Sequence, residues 1–328
     1  MDFRTKLKWD EPSWQLEPSS RITSVGSCFA DHMGRKMQDA RLDVHVNPFG
    51  VLYNPLSIAT CCNLMTSVAG VPDRFFFESG GLWHCWLNDS SFSAGTLSEC
   101  RERVNRVYEE EYRRLRTLDV LFLTLGTNRC YQLKEEGYVV GNCHKHPGAL
   151  FEEKSLTVEQ TLSALRGCLD AMWKINPGLR VVWTISPYRY LKYGAHGSQL
   201  GKAVLLLAVD ELCRADSRCS YFPAYEIVLD ELRDYRFYAE DMVHPSPVAV
   251  SYIWECLSEH CFSPALKTYI KEWEQISKAL SHRPLHPESE AYRTFLRQTL
   301  LKLEQLNEKY PNLVLSSEYD RLKDLLKS

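Results

Sequence analysis

Short β-type runs that alternate with helical patterns constrain this chain more than any other feature. Residues 21–25, 44–47, 120–124, 181–185 and 221–222 are rich in β-branched and aromatic side chains and end at glycine or polar turns. Each is followed, sooner or later, by apolar residues three and four apart, over 30–40, 97–116, 157–175, 199–214 and 247–260. Such alternation predicts a three-layer α/β fold with a parallel central sheet covered on both faces. In sheets of that kind, sites form beyond the carboxyl ends of the strands.

Two insertions interrupt the pattern. Phe75-Phe76-Phe77 through Trp83-His84-Cys85-Trp86-Leu87 reads as an aromatic hairpin turned at Gly80-Gly81. Tyr138-Val139-Val140 reads as a strand end before the polar loop Gly141-Asn142-Cys143-His144-Lys145. Past about Cys261 the composition changes to long helical patterns over 265–280, 289–310 and 317–326. The expected organisation is a main domain over 1–262 and a helical extension over 263–328, which covers the domain or supplies a homo-oligomer contact.

The bulk numbers exclude some classes of partner. Thirty-nine Lys and Arg against 42 Asp and Glu leave a formal charge of -3, with no field that asks for nucleic acid or an anionic membrane. No apolar run approaches the roughly 20 residues that cross a bilayer, and the start at Met1-Asp2-Phe3-Arg4 lacks the apolar core of a secretion signal, so the expected compartment is the cytoplasm. The twelve cysteines fall mostly in apolar segments and form no C-x-x-C pair, which reads as reduced core thiols rather than a disulfide framework or a zinc site.

Candidate chemistry begins at Ser24-Val25-Gly26-Ser27-Cys28-Phe29-Ala30, where a serine joins the first strand to the first helix. A hydroxyl there sits at the positive end of a helix, suited to stabilise an oxyanion, although serine is also a favoured helix cap. Asp241-Met242-Val243-His244-Pro245 supplies a base and the carboxylate that orients it, just before a helix opened by prolines. Ser27 as nucleophile, His244 as base and Asp241 as its orienter is the expected triad. Gly50, after the second strand, and Asn128, after the third, are the expected oxyanion donors, each also explicable as a turn residue.

These segments resemble the GSCFA-domain family, related to the SGNH and GDSL hydrolases. The resemblance rests on Gly26-Ser27-Cys28-Phe29-Ala30, on Asn47-Pro48-Phe49-Gly50 with Tyr53-Asn54-Pro55-Leu56, and on Asn142-Cys143-His144-Lys145. It continues through Tyr221-Phe222-Pro223, Tyr225-Glu226 and 233–238 to Asp241-Met242-Val243-His244-Pro245, and spans about residues 21–254. It implies a flavodoxin-like sandwich and an esterase or O-acyltransferase working through an acyl-serine on a small acylated substrate, with acetylated carbohydrate the superfamily's suggestion. That chemistry needs neither cofactor nor metal.

The resemblance also marks Asn47, Asn142, His144 and Arg189 as candidate substrate contacts. Asn142 rivals Asn128 as donor, and His144 rivals His244 as base. Three departures stand out. Gly126-Thr127-Asn128-Arg129 replaces the family's glycine-threonine-alanine-tryptophan. Ser186-Pro187-Tyr188-Arg189-Tyr190 replaces serine-proline-valine-arginine-histidine, and Gly201-Lys202-Ala203 replaces serine-lysine-alanine. The changes at Tyr190 and Gly201 keep open a binding or scaffold protein that retains the fold, and the residue types of Cys143, His144 and His244 keep open a metal-dependent hydrolase.

Overall fold

A computed structural model describes residues 5–8, 12–282, 284–311, 313 and 315–327. Met1–Arg4, read above for the missing signal, lie outside the described residues. The central sheet has five strands, β1 (Arg21–Gly26), β2 (Asp43–Val46), β5 (Val120–Leu125), β9 (Arg180–Ile185) and β10 (Cys219–Tyr221), in the order β10-β9-β5-β1-β2. Every pairing is parallel. The sequence explains this burial on both faces. In β5, Leu121, Leu123 and Leu125 enter one buried cluster while Val120 and Phe122 enter the other, and β9 divides Val181, Trp183 and Ile185 from Val182 in the same way.

The first cluster is covered by α2 (Pro55–Leu64), α3 (Leu97–Leu115), α4 (Val158–Ile175) and α5 (Gly194–Ala215). Helix α4 shows why the chain is helical there: a capping box between Thr157 and Gln160 opens it, and Leu165, Cys168, Leu169 and Met172 form its buried stripe. The opposite face is covered by α1 (Cys28–Asp39) and α7 (Pro247–Cys261). Between β10 and α7 the short helix α6 (Ala224–Glu226) runs into a π-helical turn, Ile227–Leu232.

The aromatic hairpin is β3 (Phe76–Ser79) with β4 (Leu82–Cys85), and both turn glycines adopt positive φ, +60° and +76°. A second insertion forms a small antiparallel sheet of β6 (Arg129–Leu133), β7 (Val139–Val140) and β8 (Phe151–Ser155), of which the sequence indicated only the middle-numbered strand. Helices α8 (Pro264–Ser281), α9 (Glu290–Lys309) and α10 (Ser316–Lys327) complete the chain and share the second buried cluster with α1 and α7. Among the described residues no helix is long and apolar enough to cross a membrane.

The strand order reverses between β1 and β5, because the chain runs from β1 outward to β2 and then back across β1 to β5, β9 and β10. Residues leaving the carboxyl ends of these two strands therefore meet at the crevice where α/β sheets place ligands.

Candidate active site

The β1–α1 turn lies at this crevice. Gly26 leaves β1 with φ +150°, and a Cβ there would stand 2.2 Å from the Thr124 carbonyl oxygen of β5, so only glycine fits. Its N–H donates to Asn47 Oδ1 (2.9 Å) and its carbonyl accepts from Leu52 N–H (2.9 Å), which pins the turn to the loop after β2. Ser27 is the N-cap of α1 but makes no side-chain cap. It is wholly buried, its N–H donates to the Thr124 carbonyl (3.3 Å), and its Oγ has neither exposed surface nor partner. Cys28, the first helical residue, is half-buried. Because Phe29, Ala30, Met33 and Met37 face the core, the stripe of Cys28, Asp31 and His32 faces outward.

The loop before α7 brings the second part. Asp241 Oδ1 accepts the N–H groups of Val243 and His244, both at 3.0 Å, and Oδ2 bonds His244 Nδ1 at 2.5 Å. Met242 takes φ +59° to close this turn. The N–H of His244 and then its ring hold the Asp241 carboxyl down at about 2. With Nδ1 committed, Nε2 is the nitrogen left to accept a proton. Arg189 fastens the loop to the segment after β9: its N–H donates to the Val243 carbonyl (3.2 Å) and its Nη1 to that of Met242 (3.2 Å). Its guanidinium lies over the rings of Tyr235 and Tyr238. In this place Arg189 is a clamp on the loop.

Tyr188 joins the two parts. Its ring lies 4.4 Å from that of His244, and its phenol is raised first by burial and then by the charges of Cys28 and Asp241. His32, four residues beyond Cys28 on α1, is lowered first by burial and also by the His244 charge. Tyr190 sits deeper. A Cβ on Gly126 would meet its hydroxyl at 2.5 Å and Ser27 Cβ at 3.5 Å, so hydroxyl, glycine and serine crowd one point. That hydroxyl is buried without a partner, as is Asn47 Nδ2, whose orientation follows from the Gly26 N–H bonded to the other amide atom.

Lys202 was not assigned from the sequence and is the main addition. Its side chain is almost fully buried, and Nζ donates to the carbonyls of Gly126 (2.7 Å) and Ser186 (2.6 Å), the residues that follow β5 and β9. Burial pulls its ammonium down to about 7, while the two carbonyls favour the charged form. The signal was present: Lys202 continues the buried α5 stripe of Leu205, Val209 and Leu212, where a charge needs a partner.

Other expected site residues are engaged elsewhere. Both amide hydrogens of Asn128 are taken, by Ser155 Oγ (3.0 Å) and the Leu156 carbonyl (2.9 Å), and Gly50 N–H donates to the Asn47 carbonyl (2.8 Å). Neither points a free donor at Ser27 in this geometry, which corrects the expected oxyanion pair. Asn142 Oδ1 accepts from His144 N–H (2.8 Å) in a local turn. His144 binds Ser90 Oγ (3.3 Å) and the Cys85 carbonyl (2.9 Å) through its two ring nitrogens and packs with Phe77, His84 and Trp86 of the hairpin. It does not take the place of His244. Among the described residues no group of three or more His, Cys, Asp or Glu is placed to hold a metal, so Cys143, His144 and His244 do not form the alternative centre.

Fold and site thus define a doubly wound α/β protein with a strand-to-helix turn at the switch point and a carboxylate–imidazole pair on the loop before α7. The model of the GSCFA family matches residues 21–257, and that of the GSCFA domain protein, C-terminal domain, matches 273–328; the chain belongs to the GSCFA family. A search of the curated proteins finds no match. Among solved structures, a Clostridium thermocellum family 3 carbohydrate esterase is similar at 13% identity and a TM-score of 0.35, over 80% of this chain and 99% of that one.

Proposed function

We propose that the protein is an acyl-ester hydrolase or O-acyltransferase in which His244, oriented by Asp241, is the base and the β1–α1 turn at Ser27–Cys28 carries the nucleophile. The observation that carries this reading is the Asp241–His244 bond. A carboxylate that fixes the imidazole tautomer leaves Nε2 free to take a proton from a weak nucleophile, which is the recurring geometry of nucleophilic acyl transfer. The amino end of α1 adds a favourable field and N–H groups with no intrahelical acceptor. Asn47 Nδ2 and the Tyr190 hydroxyl are two further donors without acceptors beside the same turn. An acyl oxygen that gains negative charge there would satisfy groups that are otherwise buried at a cost.

Hydrolysis of short-chain nitrophenyl esters, followed by acetylated sugars, tests the reading. His244→Ala should lower kcat/KM by about 1000-fold, and Asp241→Asn by about 100- to 10,000-fold. Wild-type rates in both variants would sink it. The closed packing around Ser27 favours a second reading, a binding protein that keeps the fold without turnover, and the same assay separates the two.

A further inference from the structure

We propose that the attacking atom of this centre is Sγ of Cys28 rather than Oγ of Ser27, so that the triad is Cys28, His244 and Asp241; this rests on the acyl-transfer reading above. Access decides between the two neighbours. A nucleophile must approach an acyl carbon with room for that carbon's three substituents. Ser27 Oγ has no exposed surface, and its residue is held against β5 by the bond from its N–H to the Thr124 carbonyl. Cys28, the next residue, is half-buried and retains exposed surface.

Orientation agrees. Cys28 shares the outward stripe of α1 with His32, which feels the His244 charge. The ring of Tyr188 lies against His244 and within the field of the Cys28 sulfur. Tyr190 continues the link from Tyr188 to the turn: its ring lies 4.7 Å from that of Tyr188, and its hydroxyl and Ser27 Cβ both face the point that a Cβ on Gly126 would occupy.

The local chemistry suits a thiol that is activated on demand. Burial pushes it up, against the backbone N–H groups of Phe29 and Cys28 that would bind a thiolate. The resting sulfur therefore keeps its proton and needs a base, which His244 supplies. A second observation points to a ligand: the Tyr190 hydroxyl and Asn47 Nδ2 are buried donors with no acceptor beside the same turn, covered in this unliganded packing and uncovered only as an acyl group enters next to Cys28.

The steps balance. Cys28 gives its proton to His244 Nε2 as sulfur bonds the acyl carbon. The carbon–oxygen bond to the alcohol breaks, and the departing oxygen takes that proton, leaving a thioester. Water then gives a proton to His244 as its oxygen bonds the acyl carbon, the carbon–sulfur bond breaks, and the proton returns to sulfur. A sugar hydroxyl in place of water makes the same sequence a transfer.

Brief exposure of the full chain to nitrophenyl acetate at neutral pH, acid quenching and peptide mapping by mass spectrometry tests the assignment. One acetyl group is expected on Cys28, labile to neutral hydroxylamine, retained in Ser27→Ala and formed at least about tenfold more slowly in His244→Ala. Cys28→Ala should lose about 1000-fold in steady-state turnover. Cys28→Ser should keep the wild-type melting temperature and carry an acetyl group that neutral hydroxylamine does not remove. Acetyl on Ser27, or undiminished turnover in Cys28→Ala, overturns the assignment. If turnover still depends on His244, only the nucleophile is reassigned; if no residue is acylated and no variant changes the rate, the acyl-transfer reading falls with it.

Discussion

At the scale of single residues, two departures from the family pattern compensate each other. Where the family carries alanine after glycine-threonine and serine before lysine-alanine, this chain has Asn128 and Gly201. A Cβ on Gly201 would stand 2.8 Å from Asn128 Oδ1, so the larger residue on one element requires the smaller on the other. Asn128 cannot move aside, because its amide is held by Ser155 and Leu156. Gly201→Ser alone should therefore destabilise by about 1–3 kcal/mol, as overpacking does. Adding Asn128→Ala should recover at least about 1 kcal/mol of that loss, a coupling that a double-mutant cycle in urea measures. Additive effects would show that the two positions do not share this space. The same scale explains what the sequence revealed of the site. The Asp241–His244 contact was legible because a spacing of three residues within one turn fixes its geometry. The inward packing of Ser27 beside a half-buried Cys28 was not, because it depends on β5, nearly a hundred residues away in the chain.

At the scale of elements, β1, β5 and β9 were legible because buried, largely apolar runs are what a doubly covered parallel sheet requires, whereas the edge strands β2 and β10 have mixed burial and β10, read at 221–222, lies at Cys219–Tyr221. Strands β6 and β8 were missed: Arg129–Leu133 and Phe151–Ser155 belong to a small antiparallel sheet with mixed burial and weak patterning. Helix α2 was missed for the opposite reason. Ser57, Ile58, Ala59, Cys61 and Cys62 are all buried, so it has no polar face to set a helical period.

The helix that follows the site, α7, carries a titration that belongs to this scale. His260, in its last turn, is buried near Phe222, and burial pulls it down to about 4, whereas a free imidazole titrates near 6.5. Between these values the unfolded chain binds a proton that the folded chain refuses. The stability gained from keeping His260 neutral is thus full above about pH 6.5 and declines as pH falls towards 4. Relative to His260→Leu, the wild type should lose about 2 kcal/mol between pH 7 and 4.5 in urea titrations. A constant difference between the two proteins across that range would show that His260 takes up its proton freely in the folded state.

At the scale of the whole molecule, two family models divide the chain, yet one apolar cluster joins its parts. Tyr269 donates to the Ala40 carbonyl (2.8 Å) and Trp273 Nε1 to that of Asp39 (2.7 Å), so α8 caps the carbonyl end of α1. Arg41, just past α1, pairs with buried Glu318 of α10 and lies over the Trp273 ring. At the other side Leu16 inserts between α7 and α8, its N–H donating to the Cys261 carbonyl (2.6 Å) and its carbonyl accepting from Ser263 (3.0 Å). Helix α1 begins at the β1–α1 turn and ends under α8, so the carboxyl-terminal helices brace the element that carries Cys28. Trp273→Ala should cost about 3–5 kcal/mol, and Tyr269→Phe about 1. If the cluster is one cooperative unit, hydrogen exchange in Trp273→Ala will accelerate together in peptides from α8, α1 and β1, because opening the tail uncovers the end of α1. Acceleration confined to α8, α9 and α10, with α1 and β1 as slow as in the wild type, would show that the tail opens by itself and that the brace is dispensable.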